Sequence, residues 1–419
     1  MKKGFMFSLL TLALIIPIIV IMLIEQTSIT TQRKLISTEL RIEELSELYD
    51  SIIRDLEKTL KIIVPRAISA SISYVVTNGV GLNSSTDTLK ELLINGTLYS
   101  EKEALMQNAT LPYWTERINY LASLRGFETN VEFDDVYIRP FDSWNILVTV
   151  ELRINISDPS ELVSINRVVN VSEKISIIGF EDPLFPLKTS GRGISVITRS
   201  PYEGNYTQLL ASSVGNNSWY YGKTFVTDSS TISKIDNKTI VLVVDSVDGV
   251  TTSLLNEFSA VVCSCDLPSL TTTYVELVSD ATSVIPNNTN VLVDGENGKV
   301  WYIENLIDDV KNSYYHSSEK GASFLDRLEG KLEVQEKYKS QTNTTIGLEF
   351  FVNKDYILSL GLPVDLEKTN VDHLYFSEAS HPGKRVKGLE NTKFRIDEEI
   401  CTDEKTHAEM YQVDELLTE

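Results

Sequence analysis

Four histidines, His316, His373, His381 and His407, are the side chains of this chain best placed to move protons or ligate a metal near neutral pH. None of them pairs at i+3 or i+4 with another ligand type in a metal-like way, so the sequence predicts no metal centre. Asp372 and His373 are adjacent, and on a strand adjacent side chains face opposite ways, which argues against a catalytic pair. There is no G-x-S-x-G nucleophile elbow. Gly222-Lys223-Thr224 matches the end of a phosphate-binding loop, but Asn217 stands where that motif requires glycine. The acidic turns DSVDG (245–249) and DGENG (294–298) offer oxygen ligands of the kind calcium takes, in too small a number and at the wrong spacing for an EF-hand. Solvated turns are the simpler reading. Asp326-Arg327-Leu328-Glu329 reads as a helical cap or a local ion pair. Trp219, Tyr220 and Tyr221 cluster beside a turn, where hairpin packing competes with contact to a sugar or protein partner. The three cysteines, Cys263, Cys265 and Cys401, leave two alternatives open. One is a bridge from Cys401 to the Cys263/Cys265 pair; the other is buried thiols acting as small apolar groups. No catalysis and no cofactor are predicted.

The elements that must position these residues follow from periodicity. Phe5 to Ile24 carries no charge, and about twenty residues at about 1.5 Å each match a bilayer's hydrocarbon thickness. Lys2 and Lys3 precede the run, so the expected orientation is a cytoplasmic N-terminus with the bulk outside. No small-x-small cleavage site follows, so residues 1–24 are expected to stay as a single anchor in the lipid bilayer through residues 5–24. Ten Asn-x-Ser/Thr acceptors lie beyond it: Asn83, Asn95, Asn108, Asn155, Asn170, Asn205, Asn216, Asn237, Asn287 and Asn343. They are glycosylation candidates if the chain is exported.

From Gln32 to Val64 there is neither glycine nor proline, and apolar residues recur at Leu35, Ile42, Tyr49, Leu56 and Ile63. The spacing predicts a long amphipathic stalk helix, broken or kinked at Pro65. Helices are expected in STDTLKELLING and PYWTERINYLASLRG. The period then changes to two, and ETNVEFDDVYI, WNILVTVELRINIS and INRVVNVSEKISIIGF predict three antiparallel strands, with Ile146, Val148, Val150, Leu152 and Ile154 facing inward. Residues 25–180 therefore form one module. FEDPLFPLKTSGRG (180–193) reads as a linker, and residues 190–376 as a second α/β module containing a possible repeat, 226–249 against 278–298. Residues 380–419 are acidic and lose periodicity, which predicts a mobile tail. The expected fold class is α+β: an N-terminal transmembrane helix continuing into a stalk packed on an antiparallel sheet, then the second module. A formal net charge of −21 argues against nucleic-acid binding.

Lys3-Gly4-Phe5 followed at once by the apolar helix resembles the class III signal of archaeal type IV pilins and pilin-like proteins. The resemblance implies processing between Gly4 and Phe5, retention of the apolar helix, a sheet packed on its continuation, and self-assembly or contact with other envelope proteins. The stretches KGFMFSL, GFEDPLF, KVWYIENL and SFLDRLEGKL are similar to those of archaeal membrane-anchored surface proteins. The expected function is structural or adhesive. A tethered ligand-binding protein that does not polymerise is the alternative, and an ectoenzyme the more distant one.

Overall fold

A computed structural model describes residues 2–159, 163–211, 241–244, 260–263, 274–277, 291–294, 299–389, 392–401 and 405–418. It is a mixed helix and sheet protein with one long apolar N-terminal helix and mostly small antiparallel sheets. The chain divides into two compact units. The first comprises residues 1–70, 86–138 and 147–175; the second comprises 71–85, 139–146 and 176–419. The backbone thus passes between the units several times, whereas the sequence predicts consecutive modules.

Helix α1 runs from Lys2 to Asn78 without interruption. It contains Pro17 and Pro65, so the expected break at Pro65 does not occur. Proline removes one N–H and frees the carbonyl four residues earlier. Here that carbonyl belongs to Lys61, whose side chain is exposed and pairs with Glu173 at 3.3 Å. Along α1, Ile15 and Ile18 to Ile24 are exposed. From Leu45 onward the apolar stripe turns inward, and Leu45, Leu48, Ile52, Leu56, Leu60, Ile63 and Val64 are all buried. Leu35, Ile36, Leu40 and Ile42 are exposed between the two regions. Among the described residues, 38–78 is the stretch long and apolar enough to cross a membrane, with a mean hydropathy of 1.3. Half of that window is buried inside the fold, as in the core helix of a soluble domain. The exposed apolar stretch, Pro17–Gln26, lies nearer the N-terminus.

Within the first unit, α2 (Ser85–Asn95) ends at Gly96, whose positive φ of 66° suits a residue without Cβ. The short strands β1 (Thr97–Leu98) and β2 (Glu101–Lys102) follow as a small hairpin. Helix α3 (Leu111–Leu124) is capped by Thr110, whose hydroxyl accepts from the Tyr113 amide at 3.4 Å. Strands β3 (Glu128–Asp142), β4 (Asn145–Ser157) and β5 (Ser164–Ser176) form one sheet in that order. Connections this short allow only antiparallel neighbours. The Arg153–Asp134 pair at 2.8 Å and the Thr149–Ser172 hydroxyl pair at 2.8 Å sit across the two turns accordingly. Ile146, Val148, Val150, Leu152 and Ile154 are buried, as the alternation predicts. Trp114 Nε1 donates to Asp55 of α1 at 2.8 Å, and Arg41 of α1 lies 3.4 Å from Asp158 and over the Phe127 ring.

In the second unit, β6 (Gln208–Ala211) joins β10 (Val291–Asp294) and β11 (Lys299–Tyr302) in an antiparallel sheet. Strands β7 (Val241–Val244), β8 (Ala260–Cys263) and β9 (Tyr274–Leu277) form a parallel one. The apolar stretches of the suspected repeat are thus β7 and β10, which pair in opposite senses; the rest of both copies lies outside the described residues. Strand β12 (Tyr315–Ser323) pairs antiparallel with β13 (Gly347–Phe350). Gly321 and Gly347 meet there so closely that a Cβ on either would collide with backbone. Finally β14 (Arg385–Val386) pairs with β15 (Leu417–Thr418).

Two expectations are overturned here. Residues 180–193 are no linker: Asp182, Leu184, Phe185 and Thr189 are buried, and Leu184–Lys188 is a short helix. Residues 380–419 are no mobile tail. Val386, Leu389, Phe394, Ile396, Ala408, Tyr411, Val413 and Leu416 belong to the same core cluster as Tyr206, Ile303 and Phe351. Their apolar residues follow no regular period because the segment packs as irregular loops and single turns, so burial is decided by distant partners.

Candidate functional site

The second unit is organised around buried polar groups. Arg327 is fully buried on the short helix Phe324–Leu328. Its Nη1 donates to Asp182 Oδ2 at 2.7 Å, and its Nη2 donates to Asp372 Oδ2 and to the Leu348 carbonyl, each at 2.6 Å. Nε donates to the Ala322 carbonyl at 3.2 Å. The expected local pairing of Arg327 is therefore replaced by partners far away in sequence. Asp326 takes the capping role, accepting from the Ser323 amide and hydroxyl. Burial disfavours the Arg327 cation, but the two carboxylates outweigh it and hold the guanidinium charged. Burial pushes the Asp182 carboxyl up despite Arg327, while Arg327 and His373 overcome the same burial at Asp372 and pull it down.

Asp372 and His373 lie on a four-residue helix, Asp372–Tyr375, and not on a strand. That turn brings His373 to two groups that sequence spacing gave no reason to join with it. Glu349 lies on β13, directly opposite His316 of β12. His407 opens the helix His407–Met410, whose N-terminus carries a Thr406/Glu409 capping box. One ligating atom from each of Glu349, His373 and His407 lies within 4.8 Å of the others. All three side chains are at most 2% exposed.

The outer partners of this cluster fix its geometry. His407 Nδ1 lies 2.6 Å from Asp397 Oδ1, and Asp397 Oδ2 accepts from the Thr369 hydroxyl at 2.6 Å. The Tyr411 hydroxyl donates to Glu349 Oε1 at 2.6 Å. His373 Nδ1 stands 3.7 Å from Asp372 Oδ1, and His407 Nε2 stands 3.6 Å from Glu349 Oε2, both beyond hydrogen-bonding distance. Burial disfavours the His407 imidazolium, yet Glu349 and Asp397 raise its pKa to about 10. For Glu349, burial is outweighed by His407, and its carboxyl is held well below the usual range. A second histidine site adjoins this one: His316 Nε2 pairs with Asp309 Oδ2 and its Nδ1 with the Tyr206 hydroxyl, each at 2.8 Å. His316 is a fully satisfied core histidine. His381 pairs near the surface with Glu399.

Chemically, a carboxylate and two imidazoles converging in a dry interior can share a proton or hold a cation. The surrounding groups Thr369, Asp372, Asp397 and Tyr411 are buried too. The sequence reading missed the cluster because its members stand too far apart for any local spacing rule. The one available signal was a lone carboxylate in the apolar run GLEFFV, which demands a buried partner.

The remaining sequence candidates distribute as follows. Gly4 and Phe5 lie within α1. Asn83, Asn95, Asn108, Asn155, Asn170, Asn205 and Asn343 are exposed, while Asn216, Asn237 and Asn287 lie outside the described residues. So do Trp219 to Tyr221, Gly222 to Thr224, the turn 245–249 and Cys265. Cys263 lies on β8. Cys401 is buried, its Sγ 3.3 Å from the Lys405 carbonyl and 3.5 Å from Met410 Sδ. Comparisons with protein families, with curated proteins and with solved structures return no match.

Proposed function

We propose that the protein is a single-pass, membrane-anchored surface protein with a structural or adhesive, pilin-like role. The observation that carries this reading is α1. One unbroken helix presents exposed apolar residues in Pro17–Gln26 and then buries its apolar stripe from Leu45 onward. Such a division suits a helix whose first part sits in lipid and whose second part packs on the β3–β4–β5 sheet. The exposed Leu35, Ile36, Leu40 and Ile42 continue the apolar surface beyond the span and form the assembly element, toward further copies or other envelope proteins. Lys2 and Lys3 keep the N-terminus cytoplasmic, so both units face outward. The exposed sequon asparagines are then available for glycans.

The test is the intact mass and N-terminal residue of the protein from native membranes, after carbonate extraction. Retention in the carbonate-washed pellet with a chain beginning at Phe5 supports an anchored, pilin-like subunit processed after Gly4. Release into the carbonate supernatant overturns the anchor. A retained chain beginning at Met1 or Lys2 overturns the pilin-like reading and leaves a tethered protein that does not polymerise.

A further inference from the structure

We propose that Glu349, His373 and His407 bind one divalent transition-metal ion, best Zn2+, in a buried centre of three protein ligands that ties three separate segments of the second unit together. The first argument is polar accounting. Among the described residues seven buried side-chain atoms lack a hydrogen-bond partner, and four of them are Glu349 Oε2, His373 Nδ1, His373 Nε2 and His407 Nε2. A buried polar group without a partner is costly, and folded proteins carry few of them. Glu349 Oε2, His407 Nε2 and one ring nitrogen of His373 can share one common partner.

The second argument is geometry. Zinc–nitrogen and zinc–oxygen bonds of about 2.0–2.2 Å place tetrahedral ligand atoms about 3.3–3.6 Å apart. His407 Nε2 and Glu349 Oε2 are already 3.6 Å apart. The whole set lies within 4.8 Å, so the three side chains need only draw together to close onto an ion.

The third is the outer shell. Histidine ligands characteristically give their other ring nitrogen to a carboxylate, which fixes the tautomer and aims the lone pair. Asp397 holds His407 Nδ1 in this way, leaving Nε2 to the ion. Asp372 stands on the Nδ1 side of His373. The Tyr411 hydroxyl occupies Glu349 Oε1, leaving Oε2. Glu349 and His407 thus each keep one unengaged atom, and His373 keeps both of its ring nitrogens. Two imidazoles and one carboxylate are the borderline donor set that zinc and its first-row neighbours prefer, and poorly suited to calcium or magnesium. With a water filling the fourth tetrahedral position, the three protein ligands make a complete buried centre. It links β13, the helix Asp372–Tyr375 and the helix His407–Met410, and so fastens the C-terminal segment to the unit's interior.

The rival is a metal-free cluster in which a proton bridges the pair Glu349 and His407. Metal content distinguishes them. The full chain, purified in detergent without chelator or affinity histidines, is measured by inductively coupled plasma mass spectrometry. The chelated protein is then titrated with Zn2+ and with Co2+. The expected result is about one zinc per chain, a melting temperature of the second unit that falls on chelation and returns with Zn2+, and intense tetrahedral d–d absorption with Co2+. His373→Gln is expected to lower metal content at least fivefold, and His381→Gln to leave it unchanged. Because a core variant can fail to fold, the wild-type titration decides independently. Less than 0.1 metal per chain, with a melting temperature unmoved by chelator or by Zn2+, overturns the proposal. Metal content that follows His381 and not His373 does so as well.

Discussion

Arg327→Met offers a quantitative test of the buried ion network. Methionine keeps most of the apolar volume but removes the guanidinium that bridges Asp182 and Asp372, all three being fully buried. The Leu348 and Ala322 carbonyls lose their guanidinium donor as well. Removing one partner of a buried pair costs about 3–5 kcal/mol, because the remaining charge stays desolvated. The cost is not doubled by the second carboxylate, since burial already pushes Asp182 toward its neutral form. A loss of about 4 kcal/mol is a large part of a typical domain's stability of about 5–15 kcal/mol. At about 2–4 °C per kcal/mol for a unit of this size, the melting temperature should fall by about 8–16 °C. The assay is hydrogen exchange read by mass spectrometry on the detergent-solubilised full chain, following peptides from 315–350 and 369–376, alongside calorimetry. The exposed pair Lys384–Glu398, with both side chains about half exposed, is the internal control. Its Lys384→Met variant should cost less than about 1 kcal/mol. If Arg327→Met costs no more than that control, the network is not the keystone that its geometry implies.

Three further outcomes are expected. Lys354 is buried and donates to the Lys368 carbonyl at 2.6 Å, and burial lowers its pKa to about 8. Between about pH 8 and 10.5 the unfolded chain binds this proton and the folded one does not, so stability should rise with pH by up to about 3 kcal/mol relative to Lys354→Met, as read from paired denaturation profiles. A flat difference across that window would contradict the burial argument. Leu56→Ala, at a fully buried position of α1, should cost about 2–5 kcal/mol in the first unit, measured by exchange protection of β4 peptides. Gly347→Ala should lower soluble yield and melting temperature more than a surface substitution does, because the new methyl meets the Gly321 backbone and the Ser318 carbonyl; a neutral result would mean that β12 and β13 can separate at no cost.

Local periodicity made the first unit readable. The α1 stripe, the proline-led start of α3 and the alternation of β4 all express contacts within a few residues of each other. Pro65 does not break α1, where the sequence leaves a break or a kink open. The polar core was hidden for a different reason. Asp182, Arg327 and Asp372 make no local pattern, and neither do Glu349, His373 and His407. Asp372 and His373 were read on a strand because VDHLYF is apolar and short, while a one-turn helix has no period to reveal it. The segment beyond residue 380 is acidic on average, yet its few apolar side chains are nearly all spent on the core.

The interleaving of the two units has a consequence for biogenesis. Residues 71–85 and 139–146 belong to the second unit although they flank pieces of the first. The core of the second unit also needs Tyr411, Val413 and Leu416. During synthesis the first unit has all its segments once residue 175 has emerged, whereas the second stays open until about 240 more residues have followed. A growing chain therefore exposes the unsealed apolar interior of its second unit until its last residues are made. Fragments cut at any single loop would leave one unit short of a segment. Premature termination near residue 400 should accordingly yield a product that quality-control proteases remove, and not a shortened folded protein.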